Sequence, residues 1–305
     1  MHAHRPGPHG HRASQSHGHG AAFESDRVAA VIEVEGELSS GLVAEAVTLC
    51  AEQFDDGGAQ VRRVIDLGCG PGVGTALLVE AFRSATVLVV DGSRAMLDRA
   101  EARAERLGYT SRVEIRKLDL NDDLQPLGRC DLAWAAMAIH HADDEVATLQ
   151  GIRSLLDPRG LVCLLERADP VFIRFAHDLG RPGIWDRLEA ARSAWFESVR
   201  ASMPGAMNAE TYPSMLAAAG LEVIADRTLI GAVEAPHHAA THDFIAGELQ
   251  RTVNDLASFA AEADLEALSA FVDETPAFPE GRWGRASVRS SRKLLIARSR
   301  PYDRP

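Results

Sequence analysis

The sequence predicts an α/β fold: a mostly parallel, seven-stranded sheet with helices on both faces and added helical cap insertions. Three observations lead there. Between residues 61 and 165, short apolar, β-branched runs alternate with amphipathic stretches, the pattern of strands joined by right-handed helical crossovers. One run, Ala85 to Val90, is apolar throughout, as expected of a strand covered on both faces. The first run ends in a glycine-rich turn that opens the next helix, the place where open α/β sheets bind ligands.

The elements follow in order. From Ser39 to Phe54, residues Leu42, Val43, Ala46, Val47 and Cys50 recur at the spacing of one buried helical face. Asp55 to Gly58 then breaks the pattern. Val61 to Leu67 reads as the first strand, Gly72 to Phe82 as a helix, and Ala85 to Val90 as the second strand. Ser93 is placed to cap a helix that runs to Leu107. Val113 to Leu118 and Asp131 to Met137 are the third and fourth strands. A helix to about Leu156 is stopped by Pro158 and Gly160, and Leu161 to Leu165 is the fifth strand. Residues 168 to about 203 read as amphipathic helix, with Trp185, Leu188, Ala191 and Trp195 on one face. Tyr212 to Ala219 is a short helix ended by Gly220, Leu221 to Ile230 a strand, 240–275 two helices, and Ser287 to Ala297 a final strand.

Composition narrows the function. The chain has 305 residues, enough for one large domain or one with an attached subdomain. A net charge of −12 disfavours nucleic acid, whose binding surfaces are basic. Cys50, Cys69, Cys130 and Cys163 are scattered with no CxxC pair, which fits a reducing compartment, so the expected localisation is cytoplasmic. No apolar run approaches the roughly 20 residues of a spanning helix, so no membrane partner is expected. Abundant arginine and alanine, with lysine only at Lys117 and Lys293, suggest a GC-rich bacterial source. Residues 1–22 are rich in Gly, His, Pro and Ser and hold six of the twelve histidines. Alternating histidines bind transition metals loosely, but the segment reads as a solvated tail, and no metal cofactor is expected.

The chemistry sits in Val64-Ile65-Asp66-Leu67-Gly68-Cys69-Gly70-Pro71-Gly72. Gly68 and Gly70 permit a tight turn with bare backbone facing a ligand. Gly72 lets the helix start close beneath it, and the helix N-terminus offers free N–H groups to a carboxylate or phosphate. Counted from Gly68, Gly70 or Gly72, the third position of a G-x-G-x-x-G dinucleotide fingerprint falls on Val73, Thr75 or Leu77, so that fingerprint fails. There is no G-K-[ST] P-loop either.

The segment resembles the first motif of the class I S-adenosylmethionine (SAM)-dependent methyltransferases, here Asp66-Gly68-Gly70-Gly72. The resemblance covers residues 38–166 well and implies a Rossmann-like methyltransferase fold that ends in an antiparallel edge hairpin. It implies SAM as cofactor and assigns roles by position. Asp91, ending the second strand, accepts from the ribose hydroxyls, a task for a bidentate acceptor; Gly92 follows it. Met96 packs near the adenine. Asp119, followed by Leu120, accepts from the adenine amino group. Cys69 touches the cofactor through its backbone. The fourth strand, ending at Ala136, leads to Ile139-His140-His141 beside the reactive methyl.

The implied organisation is a tail (1–22), an N-terminal helical segment (23–60), a cofactor-binding core (61–167), and a helical cap with C-terminal strands on the substrate side (168–305). The expected reaction is in-line SN2 methyl transfer to a small-molecule acceptor that the sequence leaves unidentified. Alignment supplies much of such catalysis, and a base is needed only for a protonated acceptor. His141 and His140 are the candidate bases, with His141 slightly preferred. Trp185, Trp195, Phe196, His177, His237, His238 and His242 are expected in an acceptor lid, although the two tryptophans also suit core packing. The arginines from Arg282 to Arg304 read as a solvated rim. The rival readings are a non-catalytic SAM-binding module, an aminopropyltransferase using Asp143, Asp144 and Glu145, and a nucleotide-dependent oxidoreductase. The oligomeric state stays open.

Overall fold

The computed structural model describes residues 25–200, 208–235, 239–273 and 286–300. The tail and the pair His237 and His238 lie outside these residues. Two helices open the described chain, α1 (Asp26–Leu38) and α2 (Ser40–Ala51). Then follow β1 (Arg63–Leu67), α3 (Val73–Ala81), β2 (Thr86–Asp91), α4 (Arg94–Leu107), β3 (Val113–Lys117), β4 (Cys130–Ala136) and α5 (Glu145–Leu155). The rest is β5 (Leu156–Phe175), α6 (Ile184–Arg200), α7 (Tyr212–Ala218), β6 (Leu221–Glu234), α8 (Ala239–Asp255), α9 (Glu262–Asp273) and β7 (Ala286–Ser299).

The strands form one sheet in the order β3-β2-β1-β4-β5-β7-β6. All neighbours are parallel except β7, which runs antiparallel to β5 and β6. The fold is thus the Rossmann-like, mostly parallel seven-stranded sheet that the alternation predicts. Strand order reverses between β1 and β4, and the crevice above that switch point is where such sheets take ligands.

Local chemistry explains the elements around the crevice. Ser93 caps α4 by accepting from Met96 N–H at 3.4 Å, and Gly108 at φ +77° ends it. Asp144 caps α5 by accepting from Ala147 N–H at 2.9 Å. One core layer packs α2, α3 and α4 on the sheet through Val47, Leu78 and Leu97; a second packs α5 and α7 on the other face through Leu149, Ile152 and Leu216. A third joins α1, α6, α8 and α9 to the far halves of β5 and β7 through Val34, Phe172, Trp185 and Phe244.

Two expectations are corrected here. The expected helix over 168–203 starts only at Ile184, because β5 runs on for 20 residues to Phe175. Pro170, which has no N–H to give a ladder, is accommodated by register shifts between Arg167 and Asp169 and between Asp169 and Phe172. Beyond it Val171, Phe172, Ile173 and Phe175 are buried against β7 and the outer helices. Arg292, expected on a solvated rim, is only 2% exposed. It sits mid-strand in β7 opposite Arg167 of β5.

Candidate active site

A cavity of about 710 Å³ opens above the β1/β4 crevice. Its floor is the turn after β1. Gly68 N–H and Cys69 N–H donate to Val90 C=O at 2.8 and 3.0 Å, tying that turn to β2. Gly70 N–H donates to Asp91 Oδ2 at 2.9 Å, and Ser93 N–H to Oδ1 at 2.8 Å. Asp91 is therefore both loop latch and cavity wall. Gly68 adopts φ +69°, and a Cβ there would stand 2.5 Å from Ala138 Cβ. Only glycine satisfies both conditions.

The residues expected at the cofactor converge on this cavity with one exception. Asp66, Gly68, Cys69, Gly70, Asp91, Gly92, Met96, Asp119, Leu120 and Ala136 all line it. Gly72 does not: at φ +77° its Cα faces α4, where a Cβ would come 2.9 Å from the Ala100 Cα. Its task is to let α3 and α4 meet. Asp119 Oδ1 accepts from Asn121 N–H and Nδ2 at 2.9 and 3.0 Å, and Asn121 itself lines the cavity.

Asp66 is 2% exposed and accepts from Thr75 Oγ1 at 2.6 Å. Burial pushes its carboxyl up to about 7; the Thr75 hydrogen bond opposes this and the charge of Asp91 adds to it. Burial, with Asp66 and Asp91 beside it, also pushes the Cys69 thiol well above its ordinary value, so Cys69 is a neutral, small wall residue.

Both candidate histidines line the cavity, but they are held differently. His140 Nδ1 lies 2.7 Å from Glu166 Oε2, while Glu166 Oε1 accepts from Ala138 and Ile139 N–H at 3.0 and 2.9 Å. Glu166, buried at the C-terminal side of the core part of β5, thus fixes the turn after β4 and one ring of the pair. His141 is exposed, its ring 4.0 Å from that of His140. Just before them Met137, at φ +55°, is the one non-glycine residue with positive φ among the described residues, and it lines the cavity. Strain of this kind concentrates at functional sites.

The opposite wall is not the expected aromatic lid. Trp185 is buried in the outer core and donates Nε1–H to His177 C=O at 3.0 Å. Neither it nor Trp195, Phe196 or His242 reaches the cavity. The wall is instead Ile32, Glu35, Gly36 and Ser39 from α1 and its end, with Arg167 and Arg292 from the paired strands. Arg167 donates to Glu35 Oε1 at 2.5 Å and Arg292 at 3.2 Å, and Arg292 also donates to Ser39 Oγ at 3.2 Å. Burial pushes the Glu35 carboxyl up, but Arg167 and Arg292 together outweigh it and hold it below its ordinary value. Burial and then the neighbouring Arg167 depress Arg292 to about 10, against the pull of Glu35.

The donor set fits a nucleoside joined to an amino acid. Bare backbone lies at Gly68 and Gly70, carboxylates stand at the ends of β1 and β2 and after β3, and a buried apolar side chain, Met96, lies beside them. Asp143 also lines the cavity, but Asp144 is consumed as the α5 cap. That leaves little of the acidic cluster an aminopropyl acceptor would require.

A family described as "Methyltransferase domain" matches residues 64–160. Over 239 residues the chain is 27% identical to trans-aconitate 2-methyltransferase of Escherichia coli, covering 78% of this chain and 86% of that one. It is 32% identical over 107 residues to an uncharacterized protein of Synechococcus, of which it spans only 26%. The YcgJ protein of Bacillus subtilis, a solved structure, superposes with a TM-score of 0.48 at 14% identity over 84% of this chain and 98% of that one. The glycine turn with its three acids lies within the matched residues, and the two together lead to one assignment: residues 64–160 form a SAM-dependent methyltransferase domain.

Proposed function

We propose that this protein transfers the methyl group of SAM to a small acceptor that carries a carboxylate. The observation that carries the reading is the pair Arg167 and Arg292, two guanidiniums side by side on the cavity wall with one carboxylate, Glu35, between them. The surrounding charges are Glu166, which is engaged by His140 and two backbone amides, and Glu248, which pairs with Arg192 and Arg251. The wall is therefore left net cationic, and a second carboxylate there gains charge-assisted hydrogen bonds. The relative that acts on trans-aconitate, a carboxylate by name, supports the same reading.

In this reading Asp91 accepts from the ribose hydroxyls, Asp119 from the adenine amino group, and Met96 and Leu120 pack on the adenine. Asp66 faces the ammonium, and the backbone of Gly68, Cys69 and Gly70 cradles the chain between. When bound, SAM supplies a methyl already activated on a sulfonium. Arg167 and Arg292 orient the acceptor, and alignment of the attacking oxygen provides most of the acceleration. Asp91→Ala removes both the ribose acceptor and the latch on Gly70. Its SAM affinity is expected to fall by about 1.5–3 kcal/mol, the range for hydrogen bonds to a charged group; unchanged affinity in calorimetry would remove Asp91 from the site.

A second reading has its own observation, the 2.7 Å contact of His140 with Glu166. A carboxylate acceptor is ionised at neutral pH and needs no base, whereas a hydroxyl acceptor needs one, and His140 would be it. Release of S-adenosylhomocysteine should be followed with di- and tricarboxylates, trans-aconitate included, against their amides and against phenols. Turnover of the acids alone is expected, with a flat rate from pH 6.5 to 8 at saturating SAM. Arg167→Met should raise the KM for the acid at least about tenfold while leaving SAM affinity in place. Equal turnover of the amides, or an unaffected Arg167→Met enzyme, excludes the carboxylate. Turnover of a phenol that is lost in His140→Gln favours His140 as base.

A further inference from the structure

Helix α1 carries glutamates at positions 33, 35 and 37 and sends them to opposite sides. Glu33 and Glu37, one turn apart, hold the helix to α4. Arg99 Nη1 donates to Glu33 Oε2 at 2.7 Å, and Arg103 Nη2 donates to Glu33 Oε1 and Glu37 Oε1 at 2.6 and 2.8 Å. Glu35, half a turn away, lines the cavity. Both guanidiniums there donate to one of its oxygens: Arg167 Nη2 at 2.5 Å and Arg292 Nη2 at 3.2 Å meet at Oε1. The other oxygen, Oε2, receives no hydrogen bond among the described residues and keeps accessible surface; the side chain is 24% exposed. The two arginines keep this carboxylate ionised. Of the charges behind it on α8, Arg251 is paired with Glu248.

An ionised oxygen with open lone pairs thus stands beside Arg167, whose own side chain is 34% exposed. When an acceptor carboxylate meets Arg167, a group on its neighbouring carbon comes within reach of Oε2. An ammonium or a hydroxyl gains a charge-assisted hydrogen bond there, and a hydrogen atom gains nothing. A second carboxylate meets a like charge in a partly desolvated wall. We propose that Glu35 is a specificity-determining residue for the acceptor: it admits a carboxylate whose neighbouring carbon bears a hydrogen-bond donor, and it refuses one whose neighbouring carbon bears a second carboxylate. The inference rests on the carboxylate-acceptor reading and narrows it from acids in general to 2-amino and 2-hydroxy acids.

Four acids with one skeleton test it. Succinate, malate, aspartate and ethane-1,1,2-tricarboxylate carry hydrogen, hydroxyl, ammonium and carboxylate at the same carbon. They are titrated calorimetrically into the full chain saturated with S-adenosylhomocysteine, which keeps aspartate out of the cofactor's own place. The wild type should bind aspartate most tightly, then malate, succinate and the tricarboxylate, with about tenfold between aspartate and succinate. Glu35→Gln keeps an oxygen for the two arginines and removes the charge, so aspartate should lose about tenfold and the tricarboxylate should gain. Glu33→Gln is the control for structure: Glu33 lies on the same helix but does not line the cavity, so this variant should keep the wild-type ranking even if it melts lower. Buried Arg292 loses its counter-charge in Glu35→Gln; should that variant fail to fold, the wild-type ranking decides alone. A wild type indifferent to the substituent overturns the proposal, and so does an unchanged ranking in folded Glu35→Gln or an equal change in Glu33→Gln. A wild type that binds S-adenosylhomocysteine but none of the four acids instead removes the carboxylate reading, and this inference with it.

Discussion

Gly68→Ala is expected to eliminate SAM binding and to lower the melting midpoint. Two costs add at this position. Alanine at φ +69° sits in the left-handed region, which costs about 1–2 kcal/mol. Its Cβ also meets Ala138 Cβ at 2.5 Å, and neither partner can swing away, because both methyls sit directly on backbone. Ala138 is moreover tied through its N–H to Glu166. Overpacking of this kind costs typically 1–3 kcal/mol, so a midpoint lower by on the order of 5–10 °C is expected. Relief by moving the Ala138 segment would also displace His140 and Met137. Thermal unfolding with and without SAM gives both readings at once. A variant that keeps the full ligand-induced stabilisation would show that the turn does not carry the cofactor.

Asp66→Asn should make the protein more stable at pH 8 and a poorer binder. The Asp66 carboxyl is pushed up to about 7 by burial, with Thr75 opposing and Asp91 adding, whereas in the unfolded chain it titrates near 3.9. The folded state thus holds the proton more tightly. Its contribution to stability is complete below about pH 4 and is lost as pH rises to about 7. Above pH 7 the charge stays buried beside Asp91, and asparagine removes that cost while keeping an oxygen for Thr75. A gain on the order of 2–4 kcal/mol at pH 8 is expected, shrinking towards zero near pH 4. The ionised form is the one that suits an ammonium, so wild-type SAM affinity should rise between pH 6 and 7.5, whereas that of the variant stays low and flat. Melting curves of both proteins from pH 5 to 8.5, with calorimetry of SAM, check this. A less stable variant at pH 8 would contradict the raised carboxyl. Trading stability for a charged site is a common arrangement in binding clefts.

The part of the site legible in the sequence is the part written locally. A glycine turn between an apolar strand and a helix, with one acid at the end of β2 and another just after β3, needs only spacing and the ordinary period of the elements. The cationic wall is written non-locally. Glu35 and Arg292 are 257 residues apart. Arg292, among Ser290, Ser291 and Lys293, resembles a solvated edge until β5 and β6 are seen to cover it on both sides. Helix α1 is obscured as well. From Ile32 to Leu38 apolar or small residues alternate with Glu33, Glu35 and Glu37, a period of two that hides a helix. The reach of β5 past Glu166 was hidden by Asp169-Pro170, which reads as a strand end unless the partner strand can bulge around it.

The long β5/β7 ladder has a consequence for how the molecule comes to exist. β5 lies against β7 across residues 161–175 and 286–298, so the strand that carries Arg292 is the last in chain order yet is inserted between two others made much earlier. During synthesis β5 and β6 each present an open edge until it arrives, and open edges are where sheets pair wrongly. The local βαβ units around the glycine turn can form while the chain is still growing, whereas the wall of Arg167 and Arg292 must wait for contacts of very high sequence separation, which are slow to close. The two walls of the same cavity are therefore born at different times, and the arginine wall is the later one.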